Sequence, residues 1–577
     1  VFDGSTGPLG RPVSLFTFAL EQRFFSATPN FSQVISIVLH CCNSVLVYAV
    51  LVLVLRSYDN DDRLFWAVLG ALLWACAPQK VSTVLYIVQR MTMLSTFFTL
   101  LALWTYLKAR TTANLHKSSA YFVVCLLTLA AAPFAKENGV LAVPIIASAE
   151  LYLLSDNRTG FDSARLKAIA ATMLSTGVFA FLVLGVVEWN HSVDSYSQRN
   201  FDFWDRIVAI PTVLLDYVRQ FFLPNTRSMG LLHDDWPILG SGLSPLAPIF
   251  AAFGLLAITI TPLLALKNTR LSLAGFGCSV FLIGHSIESF FLPLELYFEH
   301  RNYLPSLGLI VVAAEVIRAI QSRIQPISTK PVYAVLVIYL LLCVSSATML
   351  ASWWRSSGLL LQHHLTGHPD STRANTEIAF AQANSGDLDT AIRSLERAAD
   401  LSIRQPAARS MGAADTVLLR NALVCMSGSD DFEMTSPEIV GPAKNAVRTV
   451  VFRVYTTLYK DKVCVDAPWR ELSIWFMRLS LLFNERGVPW NVPTLVDLAL
   501  FEQARGNAVG TFTYSAMILE QRPKQATALL LLARASEFLG DQETFDDAVS
   551  RLRALDREGV LDQLDRYVLA KLVKRNT

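Results

Sequence analysis

The sequence predicts an all-α protein: a polytopic bundle of membrane-spanning helices over residues 1–354, followed by a soluble α-solenoid over 355–577. Three observations predict it. Only 17% of the 577 residues are charged, against about 25% in ordinary soluble domains. Mean hydropathy is +0.40, and the apolar residues gather in long runs before Trp354. Beyond that residue charge returns at soluble density, in segments of helical period. The 49 Lys and Arg are balanced by 47 Asp and Glu, which excludes a global basic field for nucleic acid.

A spanning helix needs about 20 mostly apolar residues, fewer where neighbours bury it. Ten runs meet that requirement, at 31–55, 64–79, 91–107, 119–134, 139–154, 168–187, 246–266, 271–292, 304–317 and 331–352. The stretch 206–224 is apolar too, but Pro211, Asp216 and Arg219 mark it as interfacial or re-entrant. The chain begins at Val1 rather than Met, and residues 1–30 lack the basic start of a signal peptide. Further residues upstream, including one more helix, are expected.

Orientation follows from the loops. With Val1 outside, the loops 56–63, 108–118, 155–167, 267–270 and 318–330 hold 13 Lys/Arg in 49 residues, against 8 in 84 for the opposite loops. The positive-inside rule makes the first set cytoplasmic. Ten crossings then put the C-terminal domain in the periplasm or lumen. Cys41, Cys42, Cys76, Cys125, Cys278 and Cys343 lie in apolar runs, where a thiol packs as a small hydrophobe. Only Cys425 and Cys464 fall in the polar domain, where an oxidising compartment would allow them a disulfide.

In that domain, residues 374–401 read as two amphipathic helices around a Gly386-Asp387 turn, with small Ala379, Ala391 and Ala398 where paired helices approach and Leu395 between them. The turns Gly506-Asn507 and Gly540-Asp541 are 34 residues apart, the period of tetratricopeptide repeats. Residues 406–490 fit the repeat poorly, and a generic stack of helical hairpins is the alternative. Such repeats present concave protein-binding surfaces.

Ionisable groups at a membrane boundary are costly unless paired or hydrated, so they are candidate site residues. Four clusters share the non-cytoplasmic face: Gly10-Arg11-Pro12, Gln89-Arg90, Lys136-Glu137-Asn138-Gly139 and the loop 295–306 with Glu295, Glu299, His300, Arg301 and Tyr303. Separate cations at Arg11, Arg90, Lys136 and Arg301 suit the phosphate of a lipid-linked substrate. Glu137 and Glu299 would orient them or serve as base. Snorkelling accounts equally for Arg11 and Arg90, and a mutual ion pair for Lys136 and Glu137. His233, Asp234 and Asp235 offer a weak divalent-metal signal for which a solvated loop is the favoured reading, and no cofactor is expected. His40 and His285, inside apolar runs, read as packing histidines. No P-loop, Gly-rich nucleotide loop or Ser-His-Asp order is present.

The run from Gly10-Arg11-Pro12 to Leu20, then His40 and Asn43, Val88-Gln89-Arg90, residues 135–139 and His300-Arg301-Asn302-Tyr303-Leu304-Pro305-Ser306 resemble, in order, the GT-C glycosyltransferases that carry tetratricopeptide repeats. These include the transmembrane protein O-mannosyltransferases of animals and their bacterial relatives. The resemblance implies sugar transfer from a polyprenyl-phosphate carrier to an acceptor, a protein hydroxyl being preferred, on the periplasmic or lumenal face, with the bacterial inner membrane favoured over the endoplasmic reticulum. It places Arg90, Lys136 and Arg301 near the lipid phosphate. In that family the catalytic acids precede the Gly-Arg-Pro segment; here only Asp3 does, so the base is expected upstream of Val1, with Asp3, Glu137 and Glu299 as lesser candidates. Ala77-Pro78-Gln79-Lys80 departs from a His-Pro-Glu pattern common among relatives. A membrane-anchored repeat scaffold and a lipid-linked glycan transporter are the other function classes.

Overall fold

The computed structural model describes residues 10–25, 28–154, 171, 196, 201–238, 243–289, 292–324, 330–404, 413–429, 431–432, 449–464, 467–485 and 490–575. The described elements are all helical. They form two compact units, Val1–Val193 with Asp202–His368, and Asp194–Phe201 with Pro369–Thr577. The change in composition at residue 354 is therefore not the structural boundary: a helix at Ser357–Gly367 and His368 pack with the first unit.

In the first unit the helices run α1 (Pro12–Phe24), α2 (Pro29–Val54), α3 (Asn60–Cys76), α4 (Lys80–Leu85), α5 (Arg90–Thr111), α6 (Leu115–Ala135), α7 (Ala142–Leu153), α8 (Phe203–Phe222), α9 (Leu246–Ala265), α10 (Ser272–His285), α11 (Ser306–Ile324), α12 (Lys330–Trp353) and α13 (Ser357–Gly367). α2 starts where Thr28 caps the amide of Phe31 and Pro29 occupies the first turn, a position where its missing N–H loses nothing. At 26 residues it is about 39 Å long, enough to cross a bilayer. α2 packs on α3 and α5, and α5 on α6 and α7. Their shared core includes Val47, Leu51, Trp74, Leu100, Phe276 and Phe281.

Five segments, Pro29–Val54, Ile87–Thr111, Leu115–Ala135, Leu246–Ala265 and Pro331–Trp353, are long and apolar enough to cross a membrane, where the hydropathy runs predicted ten. Four other runs are helical but shorter or more polar. In 139–154 the first residues form a 3-10 turn, Glu137–Leu141, and only 12 remain for α7. α10 stops after 14 residues at His285. α3 opens on Asp61, Asp62 and Arg63, and α11 carries Glu315 and Arg318. The remaining run, 168–187, lies outside the described residues apart from Ala171. The 206–224 stretch is α8, started by an Asp202/Asp205 capping box; its buried Arg206, Ala209, Ile210, Val213, Tyr217, Gln220 and Phe221 form one stripe of helical spacing.

The second unit runs α14 (Thr372–Asn384), α15 (Leu388–Arg404), α16 (Ala413–Met426), α17 (Thr449–Lys460), α18 (Trp469–Glu485), α19 (Val492–Ala504), α20 (Ala508–Gln521), α21 (Ala526–Leu539), α22 (Gln542–Arg557) and α23 (Gln563–Arg575). From α19 to α22 each helix packs on the next, and α19, α21 and α23 also touch in succession, the pattern of stacked hairpins. Ala379, Ala391, Ala398 and Leu395 are fully buried, as the predicted hairpin requires. Gly506 and Gly540 both have φ +74 with open space where a Cβ would lie, so their role is the left-handed turn itself. The poorly fitting tract 406–490 contributes α16 to α18, where Tyr455 and Phe452 meet Phe476 edge to face. There Cys425 and Cys464 form a disulfide across a Cα–Cα distance of 5.5 Å.

Candidate functional site

The four predicted clusters come together at one end of the first unit, built from helix termini. α1 is launched by consecutive left-handed residues, Gly10 (φ 66) and Arg11 (φ 48). The second carries a Cβ and so holds strain of about 1–2 kcal/mol. Ser14 then donates to the Ala135 carbonyl at 2.8 Å, tying α1 to the end of α6. Arg11 grips Glu137 by Nε at 3.0 and 3.1 Å and by Nη2 at 2.9 Å, with both side chains about one-fifth exposed. The turn that presents Lys136 and Glu137 folds back on α6 so closely that a Cβ on Gly139 would overlap the backbone of Ala132.

Arg90 is fully buried at the start of α5. Its Nη1 lies 2.6 Å from Glu21 of α1, Nη2 donates to the Ser32 carbonyl at 3.1 Å, and the guanidinium sits 4.3 Å over the Phe18 ring. Glu21 also accepts from the Ser32 hydroxyl. This cation holds α1 to α2 and α5.

Lys136 and Arg301 share one carboxylate. Lys136 Nζ is 2.6 Å from Glu288 and donates to Thr92 Oγ1 at 3.1 Å, while Thr92 donates to Gln89 at 2.8 Å. Arg301 donates from Nη1 to the Leu296 carbonyl at 3.0 Å. Its Nε, 3.8 Å from Glu288, is buried with no hydrogen-bond partner among the described residues. Beside them, burial and then the charge of Lys136 hold the His300 imidazole well below its ordinary pKa, so it is neutral near pH 7. Two cations facing one carboxylate leave a local excess of one positive charge.

The turn through His300–Ser306 is clamped from Gln79 and Lys80. Buried Lys80 donates to the carbonyls of Asn302 (3.1 Å) and Tyr303 (2.9 Å) and to Ser306 Oγ (2.5 Å), and burial drives its pKa well down. Gln79 accepts from Asn302 at 2.8 Å. Tyr303 is buried with its hydroxyl 2.7 Å from His40 Nδ1 and 3.3 Å from Asn43 Nδ2. His40 also reaches the Ala75 carbonyl at 3.0 Å. These contacts make His40 and Tyr303 positioning groups between α2 and the motif loop.

Glu299 is buried and occupied: it accepts from the Ser82 hydroxyl and from the Gly230 amide at 2.6 Å, and lies 3.4 Å from His233. His233 also faces the Gly230 carbonyl at 3.0 Å. Asp235 pairs with His368 at 2.9 Å. Burial disfavours the His368 cation, yet the hydrogen bond and charge of Asp235 outweigh it and raise the pKa. His233 and Asp235 thus take different partners, and among the described residues no three His, Cys, Asp or Glu side chains are placed to share a metal.

The separate cations expected from the sequence are therefore paired: Arg11 with Glu137, Arg90 with Glu21, and Lys136 and Arg301 with Glu288. Lys136 and Glu137, an alternative ion pair in sequence, each take a different partner. Asp3 lies outside the described residues. Glu21, Glu288 and Lys80 were the missed members of the site. Glu288 had a signal, since a carboxylate inside an apolar run needs a cation; Glu21, in a short helix between loops, had none.

No protein-family model matches the chain, and no curated protein matches it. Among solved structures, a crystal structure of yeast Tom70 aligns over 88% of this chain and 92% of its own, at 12% identity and a TM-score of 0.25. A likeness at that score carries no argument.

Proposed function

We propose that this chain is a polyprenyl-phosphate-sugar-dependent glycosyltransferase acting at the periplasmic or lumenal face of a membrane, with a protein hydroxyl as acceptor. The observation that carries the proposal is the Lys136–Glu288–Arg301 group. A buried guanidinium N–H without an acceptor costs about 1–3 kcal/mol, and a phosphate oxygen is the acceptor that would also take up the excess charge. The resemblance of the ordered motifs supports the same reading. Five apolar helices supply a membrane anchor, and an apolar cavity of about 250 Å³, lined by Trp66, Leu73, Ala77, Phe221 and Tyr339, is suited to a prenyl chain. The Cys425–Cys464 disulfide fits the oxidising side. The bacterial inner membrane is the preferred location.

In this reading the acceptor oxygen attacks the anomeric carbon as the bond to the phosphate oxygen breaks. The electron pair stays on the lipid phosphate, where Lys136 and Arg301 stabilise it. The acceptor proton goes to a carboxylate. Glu137, partly exposed, is the described candidate, whereas Glu299 is buried in three contacts; Asp3 or a residue upstream is the candidate from sequence alone.

The test is transfer by the full-length protein from radiolabelled polyprenyl-phosphate sugars to periplasmic extract. Labelled protein is expected, with Lys136→Ala and Arg301→Ala each lowering transfer at least about tenfold while the protein still sediments as a folded monodisperse species. Full transfer by both variants overturns the phosphate role. A second reading, a membrane-anchored scaffold whose helical stack holds a partner protein, is favoured by the complete pairing of Arg11 and Arg90. Absence of label from every sugar tried would select it over the transferase, and also over a glycan transporter if no lipid-linked sugar crosses vesicles.

A further inference from the structure

A second concentration of cations among the described residues of the first unit lies at its other end. There a cavity of about 860 Å³ is lined by Arg56, Arg63, Lys108, Arg110, Arg270 and Arg318, with Glu315 as its lining carboxylate. Ligand pockets run to about 300–1,000 Å³, so the space is that of a binding site rather than a packing defect. The helices that build it are those of the motif cluster, met at their opposite termini. α2 ends at it with Val54, α5 with Arg110 and Thr111, and α7 with Leu153, while α3 and α10 begin at it with Arg63 and Ser272. Ser32 near the start of α2 touches Arg90, so the length of α2, about 39 Å, separates the two sites.

The pairing differs from that of the motif cluster. Arg110 is held by Glu150 at 2.9 Å and Arg318 by Glu315 at 2.7 Å. Arg56 donates to the Leu153 carbonyl. Arg63 bonds Asn60 at 2.7 Å and its Nε is buried without a partner among the described residues. Lys108 and Arg270 have no carboxylate within salt-bridge distance among the described residues. Arg63, Lys108 and Arg270 thus face the cavity with no carboxylate within salt-bridge distance among the described residues, beside the hydroxyls of Ser57 and Ser272. Arginines and a lysine converging on one volume, with hydroxyls among them, match a tetrahedral oxyanion that accepts several hydrogen bonds at once.

We propose that this cavity is a second anion site that binds a phosphate group, supplied either by the headgroup of an anionic phospholipid or by free phosphate or pyrophosphate. It does not depend on the glycosyltransferase reading, since none of its residues belongs to the motif cluster. Its place where five helices end is the depth of a phospholipid headgroup, on the face to which the loop charges assign the cytoplasm.

The test uses the full-length protein. In the lipid arm, protein in phosphatidylcholine vesicles with or without phosphatidylglycerol is extracted and its retained lipid measured by native mass spectrometry. In the soluble arm, delipidated protein in neutral detergent is titrated with inorganic phosphate and with pyrophosphate by calorimetry. Retention of phosphatidylglycerol that phosphate does not displace identifies the headgroup; saturable phosphate or pyrophosphate binding identifies the free anion. The pair Lys108→Gln with Arg270→Gln is expected to weaken whichever binding is seen by about tenfold or more, and Lys108→Arg with Arg270→Lys to restore it. Removing as many charges from the second unit, by Arg404→Gln with Lys524→Gln, is expected to leave binding unchanged. Binding in neither arm, an undiminished Gln pair, or an equal loss in the second-unit variant overturns the site.

Discussion

The two ends of the first unit treat the same kinds of side chain in opposite ways. At the motif end Arg11, Arg90, Lys136 and Arg301 are matched by Glu137, Glu21 and Glu288 in mostly buried pairs. At the other end six cations line an open cavity, where Glu150 holds Arg110 and Glu315 holds Arg318. The first arrangement joins helix termini and closes the loops over them, whereas the second leaves charge available to something else. A cation in a loop is therefore not by itself a ligand-binding group, and its partner decides which it is. The same principle narrows the motif end: of its four cations, only the two that share Glu288 retain an excess.

The widest separation between the ends should appear on removing a partner. Glu21→Ala leaves Arg90 buried and uncompensated, and breaking a buried pair in this way costs about 3–5 kcal/mol. Arg270→Gln, at an exposed position of the open end, should change stability by less than about 0.5 kcal/mol. Thermal melting of both variants in detergent checks the contrast, and equal shifts would abolish it. Next in size is the turn that carries Lys136. Gly139→Ala forces a Cβ into the Ala132 backbone, and overpacking of that kind costs about 1–3 kcal/mol. The loss should come with weaker labelling in the transfer assay, because the turn positions Lys136. A destabilised variant with undiminished transfer would detach the turn from function. Lys80→Met should follow at about 1–3 kcal/mol, since it strips donors from three acceptors in the 302–306 turn. Unchanged melting would show that Lys80 is not the clamp.

Helical class was legible in the sequence because it rests on period and composition, which act locally. The turns at Gly386, Gly506 and Gly540 were legible for the same reason: a left-handed turn demands glycine whatever surrounds it. Span number was less legible, because a hydropathy run does not report where a helix yields to a 3-10 turn, as at Glu137–Leu141, or to a loop, as after His285. The motif residues were found because charge beside apolar runs stands out. Their pairing was not, since Arg90 and Glu21 are 69 positions apart and Lys136 and Glu288 are 152 apart. The basic cavity was hidden further, being assembled from loops that each carry only two or three cations and looked like orientation signals.

The smallest expected effect lies in a pair at the motif end that titrates near neutral pH. His368 is faced by Asp235, the Ser228 carbonyl, the His233 ring at 4.7 Å and, at longer range, Glu299. Its raised pKa means the folded state holds the proton more tightly than the unfolded chain does. The resulting stabilisation is complete below the unfolded value of about 6.5 and disappears as pH rises through the folded value. Wild type should therefore melt above Asp235→Asn at about pH 5.5, by about 1 kcal/mol, and the gap should close above neutrality. A gap that widened with pH would reverse the sign assigned to His368 and place its proton elsewhere.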